Sequence, residues 1–286
     1  AILPGGPLDR RSIDVEPGDI ITSINGVDVP DDGGIERLLS LNVGRPAQVG
    51  VTDSQTGEER FYTVKPLDQL DEAGLAKTRL INARREMVDR LSNSCIAYQY
   101  VPEMNNDAYL DLLGNLEAKR GIAKAALIDV RSNGGGNLTR ELITLLTGEA
   151  YSTNGWAQGP LDVEPNNRWV WPSAVVVDSF GYSDGSMFPQ AYQDNGIGKI
   201  VGDVVLNTGT SVDYVKSAVV PGLFYGLPVL PHRRIDGTLY ENNIIEPEIL
   251  VPFNPNTVGL NTDPQLEAAI SVLMEEIGAD ADCRLR

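Results

Sequence analysis

The sequence predicts an α/β fold, a mixed sheet with helices, preceded by a small β module. Three observations carry that prediction. From about residue 93, apolar runs of strand length alternate with stretches of helical periodicity, the pattern of strands joined by helical crossovers. Before residue 67 the runs are shorter and are separated by turn dipeptides such as Asn25-Gly26 and Thr56-Gly57. The composition, 286 residues with 42% apolar, 22% charged and 6% aromatic, is that of a globular chain long enough to bury a core.

Between Val15 and Val29, a Pro-Gly turn leads into a strand carrying Ile20, Ile21 and Ile24, and Asn25-Gly26 reverses it. Residues 34–41 place Ile35, Leu38 and Leu39 on one helical face, with Gly44 as the stop. Strands at Ala47 to Thr52 and Arg60 to Val64 flank the Thr56-Gly57 turn. Residues 67–92 are charged with a sparse apolar stripe at Leu75, Leu80, Ile81 and Met87, as in a partly exposed helix. The expected organisation is a β module over 1–66, a linking helix over 67–92 and a core domain over 93–286. In the core, strands at Cys95 to Val101, Ala125 to Val130, Ser173 to Asp178 and Lys199 to Val201 alternate with helices at Asp107 to Lys119, Leu138 to Leu146 and Gly185 to Asp194. Strands at Ser211 to Ser217, Leu223 to Val229 and Glu248 to Val251 follow. Asp263 before Pro264 caps a closing helix that runs to Glu276.

Lys plus Arg 23 against Asp plus Glu 40 leaves a net charge of −17, which repels phosphate backbones and anionic headgroups and argues against nucleic-acid partners. No apolar run approaches the ~18 residues of a membrane helix. Cys95 and Cys283 make neither a disulfide framework nor a metal set, and the compartment, cytoplasmic or extracytoplasmic, stays open.

Two loops follow apolar strands and open helices, the position where α/β sheets hold ligands. In DVRSNGGGN, Asp129 to Asn137, three glycines expose backbone N–H groups beside a helix N-terminus, suited to an anion or an oxyanion. Walker spacing fails because Asn137-Leu138 follows where Lys-Ser/Thr is required, and the same glycines equally make a plain tight turn. In SFGYSDGSMF, Ser183 sits on a strand-to-helix bend like that of hydrolase nucleophiles, without the Gly-x-Ser-x-Gly spelling. Ser183 or Asp184 equally reads as a helix cap.

An attacking serine needs a base and an oxyanion hole. His232, the sole histidine, lies between two strands beside Arg233-Arg234 and reads as an exposed loop residue. Lys199 precedes a strand and looks structural. Glu241 could orient a base from a strand end or be a surface carboxylate.

Taken in order, PGDIITSINGVDV, CIAYQYVPEM, DVRSNGGGN, YSDGSMFPQAY, IGKIVGD, YENNIIEPEILV and TDPQLEAAISVL resemble the tricorn branch of the C-terminal processing peptidases, its C-terminal half, from Ile2 to about Ile277. The resemblance implies a ClpP/crotonase-like spiral core after a PDZ-like module whose opening strand is expected before Ala1. It implies a serine endopeptidase that degrades peptides or unfolded proteins through an acyl-enzyme, with no cofactor and no metal, in a homo-oligomer. Ser183 would be the nucleophile. The N–H groups of Asp184 and a glycine of the 134–136 loop, Gly135 ahead of Gly134, would form the oxyanion hole. Glu241, ahead of Glu246, would be the acidic helper.

The departures are specific. Tricorn relatives carry a Ser-His pair upstream of the PDZ module that these residues do not contain, so the chain alone is expected to be inactive. Ser-Lys relatives keep a lysine 25 positions after the serine, where this chain has Thr208. The rivals are a non-catalytic peptide- or ligand-binding protein on the same fold, and an enzyme using His232, which requires a Ser183 to His232 hydrogen bond.

Overall fold

The computed structural model describes residues 2–31, 34–155, 159, 162–278 and 283. They divide into two compact units, Ala1–Ala83 and Arg84–Arg286.

The first unit holds β1 (Ile20–Ile24), β2 (Val27–Asp28), α1 (Ile35–Ser40), β3 (Ala47–Thr52) and β4 (Glu59–Val64), in an antiparallel sheet of order β2-β1-β3-β4. Asn25 at φ +51 and Gly26 at φ +75 make the β1–β2 hairpin turn that the Asn-Gly dipeptide predicts. Ile24, Ala47, Val49, Val51 and Val64 form its buried core. The division between the units falls inside α2 (Gln69–Leu91), which buries only Arg84, Met87 and Val88.

The second unit runs β5 (Ile96–Tyr100), α3 (Asn106–Lys119), β6 (Ala125–Asp129), α4 (Thr139–Thr147), β7 (Ser152–Asn154), β8 (Asp162–Glu164), β9 (Ser173–Val177) and α5 (Asp184–Asp194). It continues through β10 (Lys199–Gly202), β11 (Val205–Leu206), β12 (Thr210–Lys216), β13 (Phe224–Pro231), β14 (Ile244–Ile245), β15 (Ile249–Leu250) and α6 (Pro264–Ile277). Its central sheet, of order β15-β10-β9-β6-β5, is parallel throughout. Every residue of β5, β6 and β9 is buried, as expected of strands covered on both faces by crossover helices. Antiparallel pairing among the described residues of this unit forms the ribbons β7–β8, β11–β14 and β12–β13 and an isolated bridge between Arg233 and Leu239. The core gathers Ile128, Val175, Val177, Phe188, Tyr192 and Ile200 with the apolar faces of α3 and α4.

The cysteines depart from the sequence reading. Cys95, just before β5, and Cys283 are joined in a disulfide across a sequence separation of 188. Among the described residues no helix is long and apolar enough to cross a membrane.

Candidate active site

β9 carries the chain to the rim of the sheet, and Ser183 turns it into α5 with φ +54 and ψ −128. That backbone region is essentially reserved for glycine and costs a serine about 1–3 kcal/mol, so neighbouring groups must hold it. They do so on both sides of the residue. The Ser183 N–H donates to Thr208 Oγ1 at 2.6 Å, and the Ser183 carbonyl accepts from the Ser186 hydroxyl at 2.8 Å and from the Ser186 and Met187 amides. The Ser183 hydroxyl itself does not cap α5 and makes no hydrogen bond with another described residue. Of the two readings open for this serine, the cap is the one the geometry does not form.

The glycine loop between β6 and α4 lies against that bend. Gly135 has φ +99, and a Cβ there would stand 2.6 Å from Ser183 Cβ and 2.8 Å from the Tyr182 carbonyl oxygen. Gly134 is exposed, and its nearest neighbour would be the Glu103 carboxylate at 3.4 Å. Each loop also caps the other. Asn133, fully buried, donates from Nδ2 to the Val101 carbonyl at 2.9 Å, accepts the Gly135 N–H on Oδ1 at 2.8 Å, and accepts the Tyr182 N–H on its own carbonyl at 3.0 Å. The Asp184 carboxylate crosses back to accept the Leu138 N–H at 2.5 Å and the Thr139 N–H at 3.0 Å, satisfying donors that α4 leaves open. Asp178 accepts the Ser132 N–H and hydroxyl. The Asp184 N–H, one of the first of α5, has no hydrogen-bond partner among the described residues. The Gly135 N–H, by contrast, is engaged by Asn133.

A buried ionic cluster fixes the root of the glycine loop. Arg131 forks onto Asp129 (2.8 and 2.6 Å) and reaches Asp263 and Gln265 at 3.0 Å each, while Arg84 Nε meets Asp263 at 3.0 Å. The Tyr98 hydroxyl donates to Asp129 at 2.9 Å. Burial raises the Asp129 carboxyl, but the Arg131 and Arg84 charges and the hydrogen bonds outweigh it and hold it below the usual carboxylate range. Burial, then the neighbouring Asp129 charge, pushes the Tyr98 phenol well above its ordinary value.

Glu241, half-buried, accepts the Gly209 N–H at 3.0 Å. Gly209 follows Thr208, so adjacent residues connect the Ser183 bend to this carboxylate. Ser183, Asp184 and Gly135 are thus in one constellation, with Glu241 one residue removed from it. Glu246 is exposed, and its carbonyl accepts from Gln193. His232 directly follows β13, with Nε2 2.8 Å from the Ser211 hydroxyl, and among the described residues it makes no hydrogen bond with Ser183. Lys199 is exposed at the start of β10. No His, Cys, Asp or Glu group that could hold a metal occurs among the described residues. Asn133, Asp178 and Thr208 went unassigned in the sequence. An asparagine ahead of three glycines and an aspartate ending an apolar strand were the available signals.

Residues 96–251 match peptidase family S41, and residues 4–69 match the tricorn protease PDZ domain. The chain is 25% identical over 276 residues to the tricorn protease of Thermoplasma acidophilum, covering 95% of this chain and 25% of that one. It is 27% identical over 289 residues to tricorn protease homolog 1 of Streptomyces coelicolor, covering 94% and 25% respectively. The crystal structure of the tricorn protease matches with a TM-score of 0.74 at 24% identity, over 91% of this chain and 25% of that one. The chain spans about a quarter of the length of these relatives.

Proposed function

The chain belongs to peptidase family S41, and on that footing we propose that it is part of a tricorn-type serine endopeptidase that cleaves peptides or unfolded protein chains through an acyl-enzyme. The observation that carries the proposal is the packing of Gly135 against Ser183, which sets an uncommitted hydroxyl beside backbone amides. In the proposed reaction a base removes the Ser183 proton, Oγ bonds to the substrate carbonyl carbon, and the carbonyl oxygen becomes an oxyanion. The Asp184 N–H faces no competing acceptor among the described residues. The Gly135 N–H serves only when it leaves Asn133 Oδ1. Each such donor contributes about 3 kcal/mol to the transition state. Collapse expels the amine, taking the proton from the base, and water then releases the acyl group.

The base is a histidine supplied from outside these 286 residues, with Glu241 orienting it. The hydrogen bonds of His232 and the threonine at position 208 support that assignment over an internal Ser-His or Ser-Lys pair. The test is a fluorophosphonate probe on the full-length gene product, read by mass spectrometry. An adduct on Ser183 that disappears in Ser183→Ala is expected, and a folded wild-type protein with no adduct refutes the assignment.

The engaged Gly135 amide favours a second reading, a protein that holds peptides on this rim without cleaving them. It predicts peptide affinity unchanged by Ser183→Ala and no turnover in either protein.

A further inference from the structure

The segment Asn207-Thr208-Gly209 carries more chemistry than a connection between β11 and β12 requires. Thr208 Oγ1 accepts the Ser183 N–H at 2.6 Å across 25 positions. Ser186 sits between them. Its hydroxyl lies 2.8 Å from the Ser183 carbonyl and 3.1 Å from Asn207 Oδ1, and it accepts the Thr208 N–H at 3.1 Å. Asn207 is 1% exposed, and its Nδ2 has no hydrogen-bond partner among the described residues, an uncommon state for a buried amide and one that marks a junction built around something other than stability. Side-chain hydroxyls thus reach both peptide groups flanking Ser183: Thr208 holds its N–H, and Ser186 adds to the helix amides that already reach its carbonyl.

We propose that Thr208, backed by Ser186 and Asn207, is a positioning residue that locks the Ser183 bend so that its hydroxyl faces the glycine loop. The proposal rests on Ser183 being the nucleophile and extends that reading to the residue that aims it. The chemistry at position 208 is exclusive. An ammonium group has only donors, so a protonated lysine there could not accept the Ser183 N–H, whereas a threonine hydroxyl accepts it but is no base near neutral pH. The same side chain that fixes the bend thereby requires the base to come from another part of the protein. Thr208 is half-buried and touches no substrate atom in this role.

The test compares Thr208→Val, which keeps the branched shape and removes the acceptor, with Thr208→Ser, which keeps the acceptor. Three readouts are taken on the full-length protein: thermal midpoint, the ¹H–¹⁵N resonance and exchange rate of the Ser183 amide, and the rate of fluorophosphonate labelling of Ser183. A displaced nucleophile loses on the order of 10- to 100-fold in rate. Expected for Thr208→Val are a labelling rate lowered by that factor at unchanged probe affinity, an upfield shift of the Ser183 amide proton and faster exchange, with Thr208→Ser restoring the wild-type values. A Thr208→Val protein that is folded, labels at the wild-type rate and keeps the wild-type Ser183 amide resonance overturns the proposal. If wild type and Ser183→Ala are equally unlabelled, the nucleophile assignment fails, and with it the aiming role, while the amide resonance separately reports whether the hydrogen bond exists.

Discussion

Gly135→Ala places a methyl group at the point where the two loops touch. The new Cβ would lie 2.6 Å from Ser183 Cβ, 2.8 Å from the Tyr182 oxygen and 3.2 Å from the Asp184 nitrogen. Carbon atoms pack at about 3.5–4.0 Å, so the loops must part by roughly 1 Å. Alanine also resists φ +99, at about 1–3 kcal/mol, and the forced repacking adds about 1–3 kcal/mol. The sum, about 2–6 kcal/mol, is a large share of the ~5–15 kcal/mol that stabilises a typical domain. Gly134→Ala is the internal control. Its φ is not positive, and its nearest contact is the flexible end of Glu103 at 3.4 Å, so a change within ~0.5 kcal/mol is expected. Urea denaturation gives the stability of both variants, and fluorophosphonate labelling of Ser183 reports the loop spacing, with a roughly 100-fold loss for a 1 Å displacement. Were Gly135→Ala to match Gly134→Ala in both measurements, the two loops would not be in contact, and the site would have no physical basis.

Two further outcomes follow from the same coordinates. Cys283→Ser, or reduction of the wild type, opens a loop of 188 residues, and the chain-entropy relation puts the stabilisation lost at about 5 kcal/mol as an upper value. The measurement is the denaturation midpoint with and without reductant, together with thiol alkylation, and a non-reduced wild type that alkylates at both cysteines refutes it. For Asp129 the folded pKa is depressed, so its stabilisation is complete above the unfolded value near 4 and is lost as pH falls through the lower folded value. Stability of the wild type should therefore decline as the pH falls below about 4. Asp129→Asn should cost about 3–5 kcal/mol at pH 7, because it leaves Arg131 buried beside a neutral partner, and should flatten the acid decline. Equal acid slopes in the two proteins would remove Asp129 from the account.

Legibility from sequence tracked the length and burial of each element. Ser173–Val177 and Ala125–Asp129 are continuous apolar runs bounded by turn residues, and nothing else suits them. β7, β8, β11 and β14 span two or three residues, too few for any period to register. The site was only half legible for a different reason. A serine opening a helix has the same spelling whether it caps or attacks, and three glycines have the same spelling whether they turn or bind. What separates those readings is the approach of Gly135 to Ser183, a distance between residues far apart in the chain. The same holds for the Cys95–Cys283 bond, and for Arg84 with Asp263, which meet across 179 positions.

The arrangement also explains why the strain sits where it does. Asn133, Asp178, Asp184 and Thr208 all direct side-chain oxygens at main-chain N–H groups of the two loops. At about 1 kcal/mol net apiece, these bonds are enough to offset the cost of a serine at φ +54. A junction selected for stability alone would place glycine at 183 and dispense with most of them. Instead the chain keeps a side chain at this strained position, surrounds it with groups that satisfy one another, and leaves the Ser183 hydroxyl and the Asp184 N–H without partners among the described residues. Unpartnered polar groups at a strained, well-supported bend are what a preorganised site requires, and packing offers no comparable reason for them.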